Sequence, residues 1–342
     1  MKNSRMLREV NVHDAVGMVL AHDLTQIIPG KFKGRLFKKG HVIREEDIEH
    51  LLNIGKEHIY ILSLEEGYLH EDEAAERMAA AIRGDHLELT QPHEGKVTIK
   101  SAIHGLAKID KAFVDAVNSM DQIVMSTIKT NTPVEPGKSL IGTRVIPLIV
   151  ENAKISKIER LALEWKKEHP DEQIVTVKPF QKLKVGLITT GGEVFSGRIQ
   201  DKFGPTVRDK LAKFGSEVVE QRYSPDDSDN IVREIRYFAE RETIDMILVT
   251  GGMSVDPDDR TPGAIAKAGA DIVSYGTPML PGSMLLMSYL TVKDRTIPVM
   301  GLPGCVMHDP FTSFDVLLPR ICAGERIERR DITEMGYGGL LG

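Results

Sequence analysis

The chain has 342 residues, which suits two domains, or three, at about 150 residues each. Hydrophobic residues make up 41% and charged residues 27%, too apolar a composition for an unstructured chain, and the net charge of 44 − 50 = −6 excludes a general electrostatic nucleic-acid binder. No apolar run reaches the roughly 18 residues that a membrane span needs, and the opening MKNSRMLREV has no apolar signal core, so the expectation is a cytoplasmic protein without a membrane partner.

Residues 1–70 read as a small β-rich domain. Residues 16–24 have strand character, and 29–41 hold five Lys or Arg and three Gly, from Lys31 to His41. That segment suits a basic loop or a charged edge hairpin that resists aggregation; a phosphate-binding role is the lesser alternative. A short helix follows, with Glu45, Glu46 and Asp47 at its start, Ile48, Leu51 and Leu52 on one face and Gly55 as its stop. Residues 59–62 are a short strand.

Residues 71–180 read as a mixed α+β domain. Ala74, Met78 and Ile82 at spacing four predict a helix over 73–83. Strands are expected over 97–106, 123–128 and 145–150, with a turn at Pro136-Gly137. Ile155, Ile158, Ala162 and Trp165 mark a second helix that ends by Pro170.

From residue 181 to 325 strands alternate with amphipathic helices, the pattern of an α/β domain with a mostly parallel sheet. The strand at 185–188 runs into a Gly-Gly turn, and so does the strand at 244–249. Val207, Leu211 and Phe214 mark one helix; Ile231, Ile235 and Phe238 mark another, with Asp226 and Asp227 as candidate caps. Two strands that end in Gly-rich turns predict a crevice at their carboxyl ends. Residues 326–342 look like a loose tail.

Three turns could carry chemistry. In Thr189-Thr190-Gly191-Gly192-Glu193 the glycines let backbone N–H groups approach an anion, and the carboxylate could meet a metal or a heterocycle. In Thr250-Gly251-Gly252-Met253-Ser254-Val255-Asp256 a hydroxyl and three carboxylates, ending at Asp259, follow the glycines, a setting for Mg²⁺ with ligand phosphates. Gly301-Leu302-Pro303-Gly304 offers further backbone donors, with Cys305 most simply an inert thiol. Cys305 and Cys322, the two cysteines, are too few for a metal cage or a disulfide framework.

In order and spacing, these motifs together with Ser224-Pro225-Asp226-Asp227 and Leu280-Pro281-Gly282 resemble the molybdopterin-binding domain of the MoaB/Mog/MoeA type, over about 140 residues. The resemblance implies a three-layer αβα domain that binds molybdopterin and serves molybdenum-cofactor biosynthesis. Within the family the chain is most similar to molybdopterin molybdenumtransferases, which insert molybdate into adenylated molybdopterin and release AMP with Mg²⁺. The resemblance makes Glu193 and Asp259 the catalytic candidates and Asp259 the metal ligand. It assigns cofactor binding to Thr190, Gly191, Gly192, Glu193, Gly251, Gly252, Met253, Ser254, Asp259, Pro281, Gly282, Pro303 and Gly304. It also implies a homo-oligomer, dimer or trimer, and contact with other cofactor-biosynthesis proteins. The sequence departs from the transferase pattern at Gly192, where that pattern has Asp or Ser. It also departs at Leu280 and Ser283, where the pattern's Lys-Pro-Gly-Lys-Pro turn carries its two lysines, and at Cys305-Val306, where Asn-Pro is usual. The lysines are natural phosphate and molybdate partners, so their absence weighs against turnover more than against binding. Two other functions fit the residues: a non-catalytic molybdopterin carrier or sensor, and a nucleotide pyrophosphatase of the competence-damage type.

Overall fold

The computed structural model describes residues 7–28, 32–62 and 66–341. The chain divides into two compact units, with the boundary between Lys178 and Pro179. Among the described residues no helix is long and apolar enough to cross a membrane.

In the first unit, Val12, Leu20, Ile43 and Leu51 centre a small core within residues 10–59. Leu7–Asn11 pairs antiparallel with His58–Leu62, and Leu24–Ile28 pairs with Phe32–Phe37. The strand expected over 16–24 begins only at Leu24, because Gly17 turns the chain at φ +84° and Val19 and Leu20 make isolated bridges. The basic segment is largely a hairpin strand, and two of its charges are met within the chain. Arg35 Nε lies 2.8 Å from Asp23 Oδ2, and Lys39 Nζ lies 3.5 Å from Asp72. Lys31, with Pro29 and Gly30, lies outside the described residues.

A second core in the same unit surrounds the helix Glu71–Ile82, which buries Ala74, Met78 and Ile82. Arg77 holds the neighbouring helix Asn152–Glu168 through a two-point pair with Glu159, at 2.8 and 2.7 Å. Two expected strands break in two. Residues 97–106 split into Lys96–Ser101 and Gly105–Ile109, which join different sheets; the Ser101 hydroxyl donates to the Ile103 carbonyl (2.6 Å) across the bend. Residues 145–150 likewise divide between Ser139–Val145 and Ile149–Glu151. An apolar run keeps its hydrophobicity through such a switch of sheets, so the pattern hides it.

His70 caps the helix Glu71–Ile82: its Nδ1 accepts from the Asp72 N–H (3.1 Å), and its Nε2 donates to the Ala21 carbonyl (2.7 Å). Glu71 is buried beside it, and burial together with Asp72 raises its pKa from 4.5 to about 7. Between pH 4.5 and 7 the folded chain therefore holds a proton that the unfolded chain has lost, so this group's contribution to stability falls as pH rises through that window. We expect Glu71→Gln to match wild type near pH 4 and to be more stable by up to about 3 kcal/mol at pH 8. Urea denaturation at both pH values measures the difference; equal gains at both would assign the effect to packing.

The second unit is built on one six-stranded sheet. Its elements are β1 (Lys184–Thr190), α1 (Gly192–Phe195), α2 (Phe203–Ala212), β2 (Glu217–Ser224), α3 (Ser228–Ala239), β3 (Met246–Thr250), α4 (Thr261–Lys267), β4 (Asp271–Tyr275), β5 (Leu286–Val292), β6 (Arg295–Leu302), α5 (Ser313–Cys322) and α6 (Arg329–Glu334). The strand order is β2-β1-β3-β6-β5-β4, with the pairs β2-β1, β1-β3 and β3-β6 parallel and β6-β5 and β5-β4 antiparallel. Both sheet faces are covered, as the continuous apolar strands require. Val185, Leu187, Met246 and Leu248 face a core shared with Val207 and Leu211 of α2 and Phe314 and Leu317 of α5. Ile188, Ile247 and Val249 face Ile231, Ile235 and Phe238 of α3 and Ile265 of α4. Gly186 lets α3 approach: a Cβ there would come 2.6 Å from the Phe238 ring. The expected α/β sandwich is thus present, with three layers. The tail expectation changes over 326–334, where α6 forms and Ile327 and Ile332 are buried against the sheet's core.

Candidate functional site

The strand order places a switch point in the second unit. From β1 the chain passes to β2 on one side and then crosses to β3 on the other. The loops after β1 and β3 therefore leave in opposite directions and open a crevice at the carboxyl ends of these strands. Thr189 and Thr250 are register partners across that pair. A cleft of about 1030 Å³ lies there.

The sequence makes both turns by glycine. Gly191 takes φ +138°, Gly251 +89° and Gly252 +56°. Gly251 also passes so close to β1 that a Cβ would stand 2.4 Å from the Thr190 carbonyl oxygen. The two turns are thereby held side by side at the cleft floor. Buried hydroxyls link them: Thr261 Oγ1 donates to the Gly251 carbonyl (2.8 Å) and lies 3.4 Å from Thr190 Oγ1.

Of the predicted residues, Thr190, Gly191, Glu193, Gly251, Gly252 and Asp259 line this cleft. Glu193 is exposed in the first turn of α1. Asp259 closes its own loop, its Oδ2 accepting from the Asp256 N–H (2.9 Å). The other residues stand elsewhere. Gly192 lies beside the lining and donates its N–H to Asp226 (2.8 Å). Met253 is a core residue: it is 4% exposed and packs on Gly301, where a Cβ would meet its sulfur at 2.5 Å. Ser254 is exposed, and its carbonyl accepts from Tyr275 (3.3 Å). The Gly282 carbonyl accepts from the hydroxyls of Thr277 (2.9 Å) and Ser313 (2.7 Å), which fastens the Pro281-Gly282 turn to α5. Pro303 is buried and Gly304 exposed; from this last turn it is Met307 and His308 that reach the cleft. Burial and Asp309 push the Cys305 thiol up, away from a reactive thiolate, and burial pushes Cys322 up to about 11.

Two further carboxylates, Asp226 and Asp201, line the cleft. Asp226 and Asp227 are alike in sequence and divide their work: Asp227 caps α3 by accepting the Asn230 N–H (2.9 Å), and Asp226 turns to the cleft. Asp201 caps α2 through the N–H groups of Phe203 (2.8 Å) and Gly204 (3.1 Å) and lines the cleft too. The signal for both is a carboxylate just before a helix that starts beside a strand end.

Residues 186–322 match the family described as "Probable molybdopterin binding domain". The matched stretch contains every residue that lines the cleft, and the match ends at the last residue of α5. Residues 9–63 match a domain of unknown function. A CinA-like protein of Mycobacterium sp. (strain JLS) is 34% identical over 84 residues, 25% of this chain and 20% of that protein. Its counterpart in Mycobacterium tuberculosis (strain ATCC 25618 / H37Rv) is 33% identical over 25% of this chain and 19% of that one. The match thus spans about a fifth of the length of these curated relatives. Among solved structures, the tungsten cofactor synthesizing protein MoaB from Pyrococcus furiosus is 24% identical over 36% of this chain and 84% of its own, with a TM-score of 0.32. The molybdopterin biosynthesis moea protein from Pyrococcus horikosii is 13% identical over 97% of this chain and 76% of its own, with a TM-score of 0.32.

Proposed function

We propose that the cleft between β1 and β3 binds molybdopterin or its adenylate, and that the protein serves molybdenum-cofactor biosynthesis. The observation that carries this reading is the coincidence of the molybdopterin-binding domain with a cleft at its switch point, lined by both Gly-Gly turns. Ligand phosphates would meet the backbone of Gly251 and Gly252, where no side chain bars approach; the Gly191 N–H is taken by the Ser224 carbonyl (3.2 Å). Glu193 is free to accept hydrogen bonds from a heterocycle.

Mg²⁺ suits this donor set only together with a ligand. Among the described residues no three His, Cys, Asp or Glu are placed to hold a metal ion. Mg²⁺ ordinarily takes one or two carboxylates and completes its shell with phosphate oxygens and water. Asp259 would supply the carboxylate, and the ion when bound would neutralise pyrophosphate charge. Molybdate insertion with AMP release is the finer form of the proposal. Leu280 and Ser283, standing where the transferase pattern has lysines, support a protein that binds more surely than it turns over.

The test is retention of molybdopterin through gel filtration, read as oxidised-pterin fluorescence in the protein peak. Glu193→Ala and Asp259→Asn are each expected to lower retention at least about tenfold, the worth of one charge-assisted hydrogen bond, with unchanged melting temperature. Full retention by both would remove these roles. The CinA-like match favours one second reading, a nucleotide pyrophosphatase. Hydrolysis of ADP-ribose by protein that ignores pterin would establish it.

A further inference from the structure

On the β1–β2 side of the cleft, a buried polar relay ends in a hydroxyl whose proton is unclaimed. Gln221 Nε2 donates to Thr189 Oγ1 (2.9 Å) and to Asp201 Oδ2 (2.5 Å), while its Oε1 accepts from Arg208 (3.3 Å). The amide orientation is thus set on all sides. Thr250 Oγ1 donates to Thr189 Oγ1 as well (3.3 Å), sharing its one proton with the Ile188 carbonyl (3.4 Å). Thr189 therefore accepts twice, and among the described residues its own O–H has no acceptor. The side chain is 2% exposed and lines the cleft. A buried donor of this kind is costly unless a ligand or water takes it.

The neighbours say what kind of acceptor fits. Thr189 Oγ1 and the Asp201 carboxylate hang from one amide nitrogen, so they are no farther apart than those two bonds allow. A phosphate oxygen on Thr189 would face that carboxylate. At about 5 Å, like charges at a protein surface cost on the order of a hundredfold in affinity. Lys202 beside Asp201 is exposed to water and offsets little of this. Around Asp201 the lining is apolar, from Val194, Ile199 and Phe203, and Ile199 is 56% exposed. That wall suits the face of a flat ring.

We propose that Thr189 is a specificity-determining residue: its hydroxyl donates to a neutral lone pair of the ligand's heterocycle, a carbonyl oxygen or ring nitrogen. Gln221 is the positioning residue that aims it. The heterocycle then lies on the β1–β2 side and the phosphates on the Gly251-Gly252 side. This orientation rests on the reading of the cleft as a pterin site.

The experiment measures affinity for molybdopterin, for 6-methylpterin, which has no phosphate, and for inorganic pyrophosphate by competition. Thr189→Val keeps the shape and removes the donor. It is expected to weaken both pterins about tenfold and to leave pyrophosphate competition unchanged. Thr189→Ser should restore pterin affinity, and Gln221→Leu should resemble Thr189→Val. Wild-type binding of 6-methylpterin by Thr189→Val, or loss of pyrophosphate competition instead, overturns the assignment of Thr189 alone. Wild-type protein that binds neither pterin overturns the molybdopterin reading, and this orientation with it.

Discussion

Gly251→Ala is expected to lower the stability of the second unit by at least about 3 kcal/mol and to abolish pterin retention. Two independent costs meet at this position. Its φ of +89° is the left-handed region that L side chains avoid, and the new Cβ would stand 2.4 Å from the Thr190 carbonyl oxygen and 2.7 Å from Thr190 Oγ1. Neither neighbour can retreat easily, because β1 is an interior strand hydrogen-bonded on both sides. For a unit of this size the loss corresponds to a fall in melting temperature of about 6–12 °C. Gly338→Ala separates the two costs. That glycine has φ +82° with nothing within 4 Å of a Cβ, so strain alone should take about 1 kcal/mol. Differential scanning calorimetry reads both variants. Equal small losses would mean that the floor of the cleft is not tightly packed.

The other large effect is expected at Lys210. Its ammonium is buried on α2 and pairs with Asp315 at 2.6 and 2.8 Å, donating also to the Pro310 carbonyl (3.0 Å). Asp315 in turn closes the capping box of α5, accepting from the Thr312 N–H (2.8 Å) and hydroxyl (3.0 Å). Lys210→Ala leaves the carboxylate buried without its cation, and a loss of about 3–5 kcal/mol follows. The denaturation midpoint in urea measures it. A loss under about 1 kcal/mol would show that water replaces the lysine at Asp315.

How much of this was readable beforehand depends on the range of the forces involved. The helix faces at Ala74-Met78-Ile82 and at Ile231-Ile235-Phe238 came directly from their spacing, because a helix buries the residues its own period brings together. The two Gly-Gly turns were equally plain, since a buried apolar strand that stops at glycines must turn there. Thr190, Gly191, Glu193, Gly251, Gly252 and Asp259 accordingly lie at the ends and on the loops that one strand pair brings together. Asp201, Gln221 and the separate tasks of Asp226 and Asp227 carry no such local signal, because cap and cleft residues share one composition.

Met253, Pro281 and Gly282 show the same limit from the other side. In sequence they sit beside glycine turns like the rest. In the fold Met253 fills the space above Gly301, and the Gly282 turn is fastened to Ser313, thirty-one residues away. The class of the second unit, its strands, its helices and its glycine turns follow from local pattern, because each is decided by a few neighbouring residues. Which turns face each other, which carboxylate meets solvent and which hydroxyl is left with an unclaimed proton were decided only by the strand order β2-β1-β3-β6. That order is settled by packing two apolar layers against both faces of one sheet, a condition that spans the whole unit and that no short stretch of sequence contains.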